Sequence, residues 1–130
     1  MSKKVLTIDN DPDFQEALTV ILESADYQCM QARSVKKGID LASHIKSVLI
    51  ILDVMMEDIS LEFRFAKTLR DRVTECKNGY IPILMMSSVQ KILEFNIQAR
   101  TGMPLLPVDE FMDKPVDPKV LLNKVQALIS

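Results

Sequence analysis

The sequence predicts an α/β domain in which helices cover both faces of one parallel β-sheet. Short apolar runs alternate with amphipathic helical stripes from one end of the chain to the other. The run 48–52 is apolar at every position, which is typical of a strand buried on both faces of a parallel sheet. Asp-Pro pairs at 11–12 and 117–118 each combine an N-cap residue with proline at the first helical position, and therefore mark two helix starts.

The individual elements follow from the same patterns. Strands are predicted at 5–8, 27–32, 48–52, 81–86 and 108–112. The first helix begins after Asp11, and its inward stripe consists of Phe14, Ala17, Leu18, Ile21, Leu22 and Ala25. A second helix begins after Ser34, and the stripe of the third consists of Leu61, Phe65, Leu69 and Val73. Segment 89–107 is the least regular part, because prolines interrupt a short helical pattern there.

The composition indicates an ordinary globular domain and argues against several functional classes. The 130 residues carry a formal net charge of −2 with acids and bases interleaved, so the chain lacks the cationic footprint of a nucleic-acid-binding protein. No apolar run approaches the ~18 residues of a membrane span, and the N-terminus has no signal-peptide pattern. We therefore expect a cytoplasmic protein in which residues 1–130 form a single domain without an output module, with neither nucleic acid nor a membrane as partner.

Polar side chains follow the predicted strands at the points where the strands end. The tripeptide Asp-Asn-Asp at 9–11 follows the first strand, and Asp53 follows the third. Ser87 ends the fourth strand, and Lys114 comes shortly after the fifth. Because open parallel sheets bind ligands beyond the carboxyl ends of their strands, we expect these groups to meet at one edge of the sheet. Carboxylates, a hydroxyl and an ammonium group at one edge are suited to a divalent cation and a phosphoryl group.

Four stretches of the chain resemble the receiver domains of two-component response regulators. They are VLTIDNDPDF at 5–14, ILDVMM at 51–56, IPILMMSS at 81–88 and DEFMDKPVDP at 109–118. The resemblance covers essentially the whole chain and implies a flavodoxin-like, doubly wound sheet of five parallel strands in the order 2-1-3-4-5. It also implies a signalling domain rather than an enzyme, which accepts a phosphoryl group from a histidine kinase or a phosphotransfer protein. The downstream protein target is not identified, and a weak homodimer stays open.

The resemblance assigns roles to the strand-end residues. Asp53 occupies the phosphoacceptor position, and Lys114 and Ser87 occupy the positions of the lysine and hydroxyl that assist it. Ser87 and Phe111 occupy the switch positions that reorient on activation. The implied cofactor is Mg²⁺, with ligands Asp9, Asn10, Asp53 and the backbone carbonyl of Met55. A divalent cation and Lys114 would offset the repulsion between Asp53 and an incoming phosphoryl group.

Two features depart from the family pattern. Asn10 replaces the second acid of the pair, and unit charges about 4 Å apart interact by roughly 1 kcal/mol in water and about 4 kcal/mol at an effective dielectric of 20. We therefore predict weaker Mg²⁺ binding and slower phosphorylation, although Asn10 could equally be a turn residue that a working site tolerates. Met55 and Val89 are apolar at positions where receivers place the hydrolytic water, which predicts slow autodephosphorylation.

Two other interpretations fit part of the sequence. A receiver-like interaction module that works without phosphorylation would explain Asn10. A haloacid-dehalogenase-type phosphatase would use Asp9 as the nucleophile of a DxD motif, but Asp53 would then have no role and the chain would be short for such an enzyme.

Overall fold

Five parallel strands form one sheet in the predicted order 2-1-3-4-5, numbered along the chain. The computed structural model describes residues 3–53, 59–75, 80–87, 108–113 and 116–129. The strands are β1 Lys4–Asp9, β2 Gln28–Ala32, β3 Leu49–Asp53, β4 Ile83–Ser87 and β5 Glu110–Asp113. The helices in these ranges are α1 Pro12–Ser24, α2 Val35–His44, α3 Ile59–Glu75 and α4 Pro118–Ile129. The predictions for segment 89–107 and for the side chains of Leu61 and Phe65 lie outside the described residues.

The apolar run of β3 is buried because the sheet is covered on both sides. Ile50 and Leu52 point into a core cluster with side chains of α2 and α3, whereas Leu49 and Ile51 point into a second cluster with α1 and α4. Each of these four residues is 0% exposed. Successive strand residues face opposite sides, so only an unbroken apolar run can supply both clusters.

Helices α1, α2 and α4 begin at the residues that the sequence indicated. Asp11 accepts a hydrogen bond from Asp13 N at 3.0 Å, and Ser34 Oγ accepts one from Lys37 N at 3.1 Å. Asp117 accepts a bond from Lys119 N at 2.9 Å in the same way. These side chains satisfy backbone donors that have no partner inside the helix. Within the described ranges, no helix is both long and apolar enough to cross a lipid bilayer.

Four of the five predicted strands stop one residue too early at their carboxyl ends, and the second ends at Ala32 as predicted. Asp9, Asp53 and Ser87 belong to β1, β3 and β4 in the structure, and Asp9 and Asp53 are ladder partners. The strand ends are set by backbone pairing with neighbouring strands, whereas the sequence pattern registers only the change from apolar to polar side chains. The functional edge of the sheet is therefore part of its hydrogen-bonded framework.

One prediction for the inward face of α1 is wrong. Ala17 is exposed, and Gln15 is buried together with Leu18 and Leu22. The Gln15 amide is 1% exposed and contacts backbone carbonyls of the sheet, which provide the hydrogen bonds that a buried amide requires. Glutamine is ordinarily a surface residue, so its place in the apolar stripe could not be recognised from its type.

An ionic cluster joins α3 to the amino-terminal ends of β4 and β5. Asp109 accepts hydrogen bonds from the Tyr80 hydroxyl, from Arg70 Nη2 at 2.6 Å and from Ile83 N at 2.7 Å. Burial would raise the pKa of the Asp109 carboxyl, but these bonds outweigh burial and the pKa is lowered. Burial and the bond to Asp109 raise the pKa of Tyr80, against the opposing charge of Arg70. Both directions agree with a neutral tyrosine donating to an ionised carboxylate.

Candidate functional site

Asp9 and Asp53 lie side by side at the carboxyl edge of the sheet. Asp9 ends β1 and is the register partner of Asp53, which ends β3. Asp9 is 1% exposed and Asp53 is 3% exposed. Two carboxylate groups that are both buried and adjacent are stabilised by a cation or hydrogen-bond donors that offset their mutual repulsion. The pair therefore has the character of a cation-binding site rather than of a structural turn.

The loop after β1 holds the Asp9 carboxylate in place. Asp9 Oδ1 accepts a hydrogen bond from Asp11 N at 2.8 Å, and Asp11 in turn caps α1. Asn10, between them, is exposed. A rigid strand end therefore continues through two residues into a capped helix, which leaves the Asn10 side chain at the surface of the site.

A cavity of about 160 Å³ opens at this edge. It is lined by Ile8, Asp9, Asn10, Arg33, Ser34, Val35 and Asp53. Arg33 follows β2 and is exposed, and among the described residues of this lining it is the one that carries a positive charge. Arg33 was not among the predicted site residues, although its position just after a strand of the sheet was a usable signal. A larger cavity of about 480 Å³, between α2 and α3, is lined by none of the strand-end acids.

The other predicted site residues are described only in part. Ser87 ends β4, where its backbone pairs with Asp113 of β5, and its side chain lies outside the described residues. Phe111 is a half-buried residue of β5 opposite Met85. Lys114 and Met55 lie outside the described residues. The structure thus brings Asp9, Asn10 and Asp53 together and places the end of β4 at the same edge of the sheet.

The described acids suit Mg²⁺ better than a metal that requires an all-protein cage. In the described ranges, no group of three or more His, Cys, Asp or Glu side chains could surround a metal ion. Mg²⁺ commonly binds through one or two carboxylates and keeps several waters. The adjacent buried acids Asp9 and Asp53 meet that requirement, and the exposed amide oxygen of Asn10 is a further oxygen donor of the right chemical type.

Comparison with known proteins identifies one family. Residues 5–126 match the response regulator receiver domain. The DNA-binding dual master transcriptional regulator RpaA of Synechocystis sp. is 29% identical over 126 residues, which are 97% of this chain and 48% of RpaA. The chain thus spans about half the length of that relative. These findings give no support to the phosphatase or to the module that works without phosphorylation.

Solved structures of the same fold were also found. Chemotaxis protein CheY4 of Vibrio cholerae has a TM-score of 0.73 and 24% identity, covering 98% of this chain and 99% of CheY4. The receiver domain of sensor histidine kinase PA1611 from Pseudomonas aeruginosa, which has a magnesium ion coordinated in its active-site cleft, has a TM-score of 0.72 and 17% identity, covering 99% and 98% of the two chains. The strand order and the pairing of Asp9 with Asp53 agree with the family match over residues 5–126. The chain therefore belongs to the response regulator receiver domain family of two-component signalling.

Proposed function

We propose that this receiver domain accepts a phosphoryl group on Asp53 from the phosphohistidine of a histidine kinase or a phosphotransfer protein. The observation that carries the proposal is the register pairing of Asp53 with Asp9, both buried at the carboxyl edge of the sheet. Asp53 ends the strand whose apolar side chains are all 0% exposed, so its backbone is firmly held. A nucleophile on a rigid strand next to a cation-binding acid has the placement that phosphoryl transfer requires.

In the proposed step, an Asp53 carboxylate oxygen forms a bond to phosphorus while the bond between phosphorus and the imidazole nitrogen breaks. The electron pair of the broken bond stays on the imidazole, whose other ring nitrogen carries a proton, so the histidine ring of the donor protein leaves as a neutral imidazole. Asp9, Asn10, Asp53 and the Met55 carbonyl are the proposed Mg²⁺ ligands. Bound Mg²⁺ would supply charge neutralisation for the carboxylate and the phosphoryl oxygens. Lys114 and Ser87 are proposed to contact the transferred group.

The proposed output is a change of surface around β4 and β5. Ser87 ends β4, and Phe111 is half-buried on the neighbouring strand β5. A new charge on Asp53 can therefore change the side-chain contacts of both strands. Contacts to the phosphoryl group exist only in the phosphorylated state and so shift a two-state equilibrium toward one surface. The partner that recognises this surface is proposed to be a protein target in the cytoplasm.

Phosphorylation with a small donor tests the proposal. The protein is incubated with Mg²⁺ and acetyl phosphate, and the added mass is located by peptide mass spectrometry. We expect the label on Asp53, its loss in Asp53→Asn, and its retention in Asp13→Asn, which removes an exposed acid of α1. Label on Asp9 would overturn the proposal in favour of phosphatase-type chemistry, and no label under conditions that modify another receiver would indicate a module that works without phosphorylation.

A further inference from the structure

Gln15 is a buried amide directly beneath the candidate site. It is 1% exposed and is the fourth residue of α1. Its Oε1 accepts a hydrogen bond from the Thr7 hydroxyl. Its Nε2 lies 3.2 Å from the carbonyl oxygen of Thr7, 3.2 Å from that of Asp9 and 2.8 Å from that of Ala32. A side chain of α1 is therefore hydrogen-bonded to both β1 and β2.

These carbonyls lie where two strands separate. The register between β1 and β2 ends at Ile8 and Ala32, and beyond it Asp9 pairs only with β3. Carbonyl groups at the end of a parallel ladder lose the donor that the next strand residue would supply, and a buried carbonyl needs another. The Gln15 amide supplies hydrogen atoms at this point, and the convergence of three carbonyl oxygens on Nε2 determines which way the amide faces.

The same contacts reach the metal-binding acid. The Asp9 carbonyl faces Gln15, and the Asp9 carboxylate accepts from Asp11 N at 2.8 Å. The Asp9 backbone carbonyl is thus held by the Gln15 amide, and the Asp9 side chain is held by the backbone N–H of Asp11. Asn10 lies between these two attachment points, so a shift of the Asp9 backbone would move both predicted metal ligands.

We propose that Gln15 is a positioning residue for the Mg²⁺ site, acting through the backbone of Asp9. The inference rests on the proposed function, since it assigns Gln15 to the support of that same site. The Thr7 hydroxyl completes the arrangement by occupying Oε1, which leaves Nε2 directed at the carbonyls. A residue that only fills the core would affect global stability but not the geometry of the Asp9 loop.

The test compares Gln15→Met with Gln31→Met. Methionine keeps the length of the side chain but cannot donate a hydrogen bond. Gln31 is an exposed residue of β2 whose amide contacts Gln15 O and the Thr19 hydroxyl instead of the strand-end carbonyls, so it is the matched control. Amide hydrogen exchange of Asp11 is measured by NMR without metal, relative to core amides such as that of Ile51. Mg²⁺ affinity is measured separately by calorimetry.

We expect Gln15→Met to speed Asp11 exchange relative to the core about tenfold and to raise the Mg²⁺ dissociation constant about tenfold, as the loss of one hydrogen bond predicts. Gln31→Met should change neither quantity. Thr7→Val should weaken Mg²⁺ binding in the unaltered protein and have no further effect in Gln15→Met, because the two side chains act as one unit.

Unchanged Asp11 exchange relative to the core in Gln15→Met would overturn the inference, even if the variant were less stable overall. If the unaltered protein binds no Mg²⁺, the metal part of the proposed function fails. The exchange rate of the Asp11 amide in the metal-free protein still tests whether Gln15 positions the Asp9 loop. The two failures are therefore distinguishable.

Discussion

The carboxylates of Asp9 and Asp53 are neighbours because their residues are partners in one parallel ladder, between β1 and β3. Both are almost completely buried, at 1% and 3% exposure. A ladder fixes the spacing of its partners, so the separation of the two acids is a property of the sheet rather than of a mobile loop. The residue that follows Asp9 then decides how much negative charge the site presents.

Replacing Asn10 by aspartate should strengthen Mg²⁺ binding. Asn10 lines the cavity that also contains Asp9 and Asp53, so Asn10→Asp restores a negative charge next to the cation. We expect the Mg²⁺ dissociation constant to fall about tenfold, which corresponds to about 1.4 kcal/mol and lies between the values for water and for an effective dielectric of 20. Calorimetric titration at fixed ionic strength measures this change.

Asn123→Asp is the control for net charge. Asn123 is an exposed residue of α4 that does not line the cavity, and the substitution adds the same charge as Asn10→Asp. It should leave the Mg²⁺ affinity unchanged. Equal affinities of the unaltered protein and Asn10→Asp would show that Asn10 is a turn residue which the site tolerates.

The cluster around Asp109 should make stability depend on acid pH. The pKa of Asp109 is lowered, so its stabilising contribution is complete above the unfolded-state value of 3.8 and is lost as the pH falls through the folded-state pKa. Asp109→Asn should reduce the free energy of unfolding by about 1–2 kcal/mol at pH 7, since hydrogen bonds to an ionised acceptor are lost. Urea unfolding followed by circular dichroism at pH 7, 4.5 and 3 should show this difference shrinking at the most acidic pH.

Asp71→Asn provides the comparison for an exposed acid. Asp71 pairs with Lys67 at 3.4 Å on the surface of α3, with side chains 56% and 60% exposed. Such pairs contribute about 0–1 kcal/mol, so a small effect is expected at every pH. A stability difference for Asp109→Asn that stays constant from pH 7 to pH 3 would contradict the assignment of the acid dependence to this carboxyl.

Met55→Asn should shorten the lifetime of the phosphorylated protein. A polar side chain two residues after Asp53 can hydrogen-bond an attacking water, whereas the apolar side chain of Met55 cannot. We expect decay of the aspartyl phosphate to become several-fold faster, measured as loss of the added mass after removal of the donor. An unchanged decay rate would refute the prediction of slow autodephosphorylation from Met55.

The sequence was sufficient for the individual strands and helices because the relevant physics is local. The apolar run of β3 and the caps at Asp11 and Ser34 are recognisable within a few residues, and the structure confirms these elements. The structure also confirms the strand order, which the family resemblance had implied. The adjacency of Asp9 and Asp53 followed from strand ends meeting at one edge. The roles of these residues stay predictions, as do those of Lys114 and Met55, which lie outside the described residues.

The long-range polar contacts could not be predicted in the same way. Gln15 is buried only because β1 and β2 present carbonyls to it, and Arg70 meets Asp109 across 39 residues of sequence. Both side chains belong to types that usually face solvent, so composition and periodicity favour the surface for each. Their placement depends on tertiary contacts that form only when the elements have assembled.

Helix α2 approaches β1 so closely at Gly38 that a side chain there would meet Ile8. A Cβ atom at Gly38 would lie 2.3 Å from Cδ1 and 2.7 Å from Cγ1 of Ile8, which is 1% exposed and precedes Asp9. Alanine is intrinsically better in a helix by about 1 kcal/mol, but overpacking a core costs about 1–3 kcal/mol. We therefore expect Gly38→Ala to destabilise the protein in urea unfolding. Ile8→Val removes the nearer atom, so Gly38→Ala should cost less in that background, and an equal cost in both would show that Ile8 is not the obstacle.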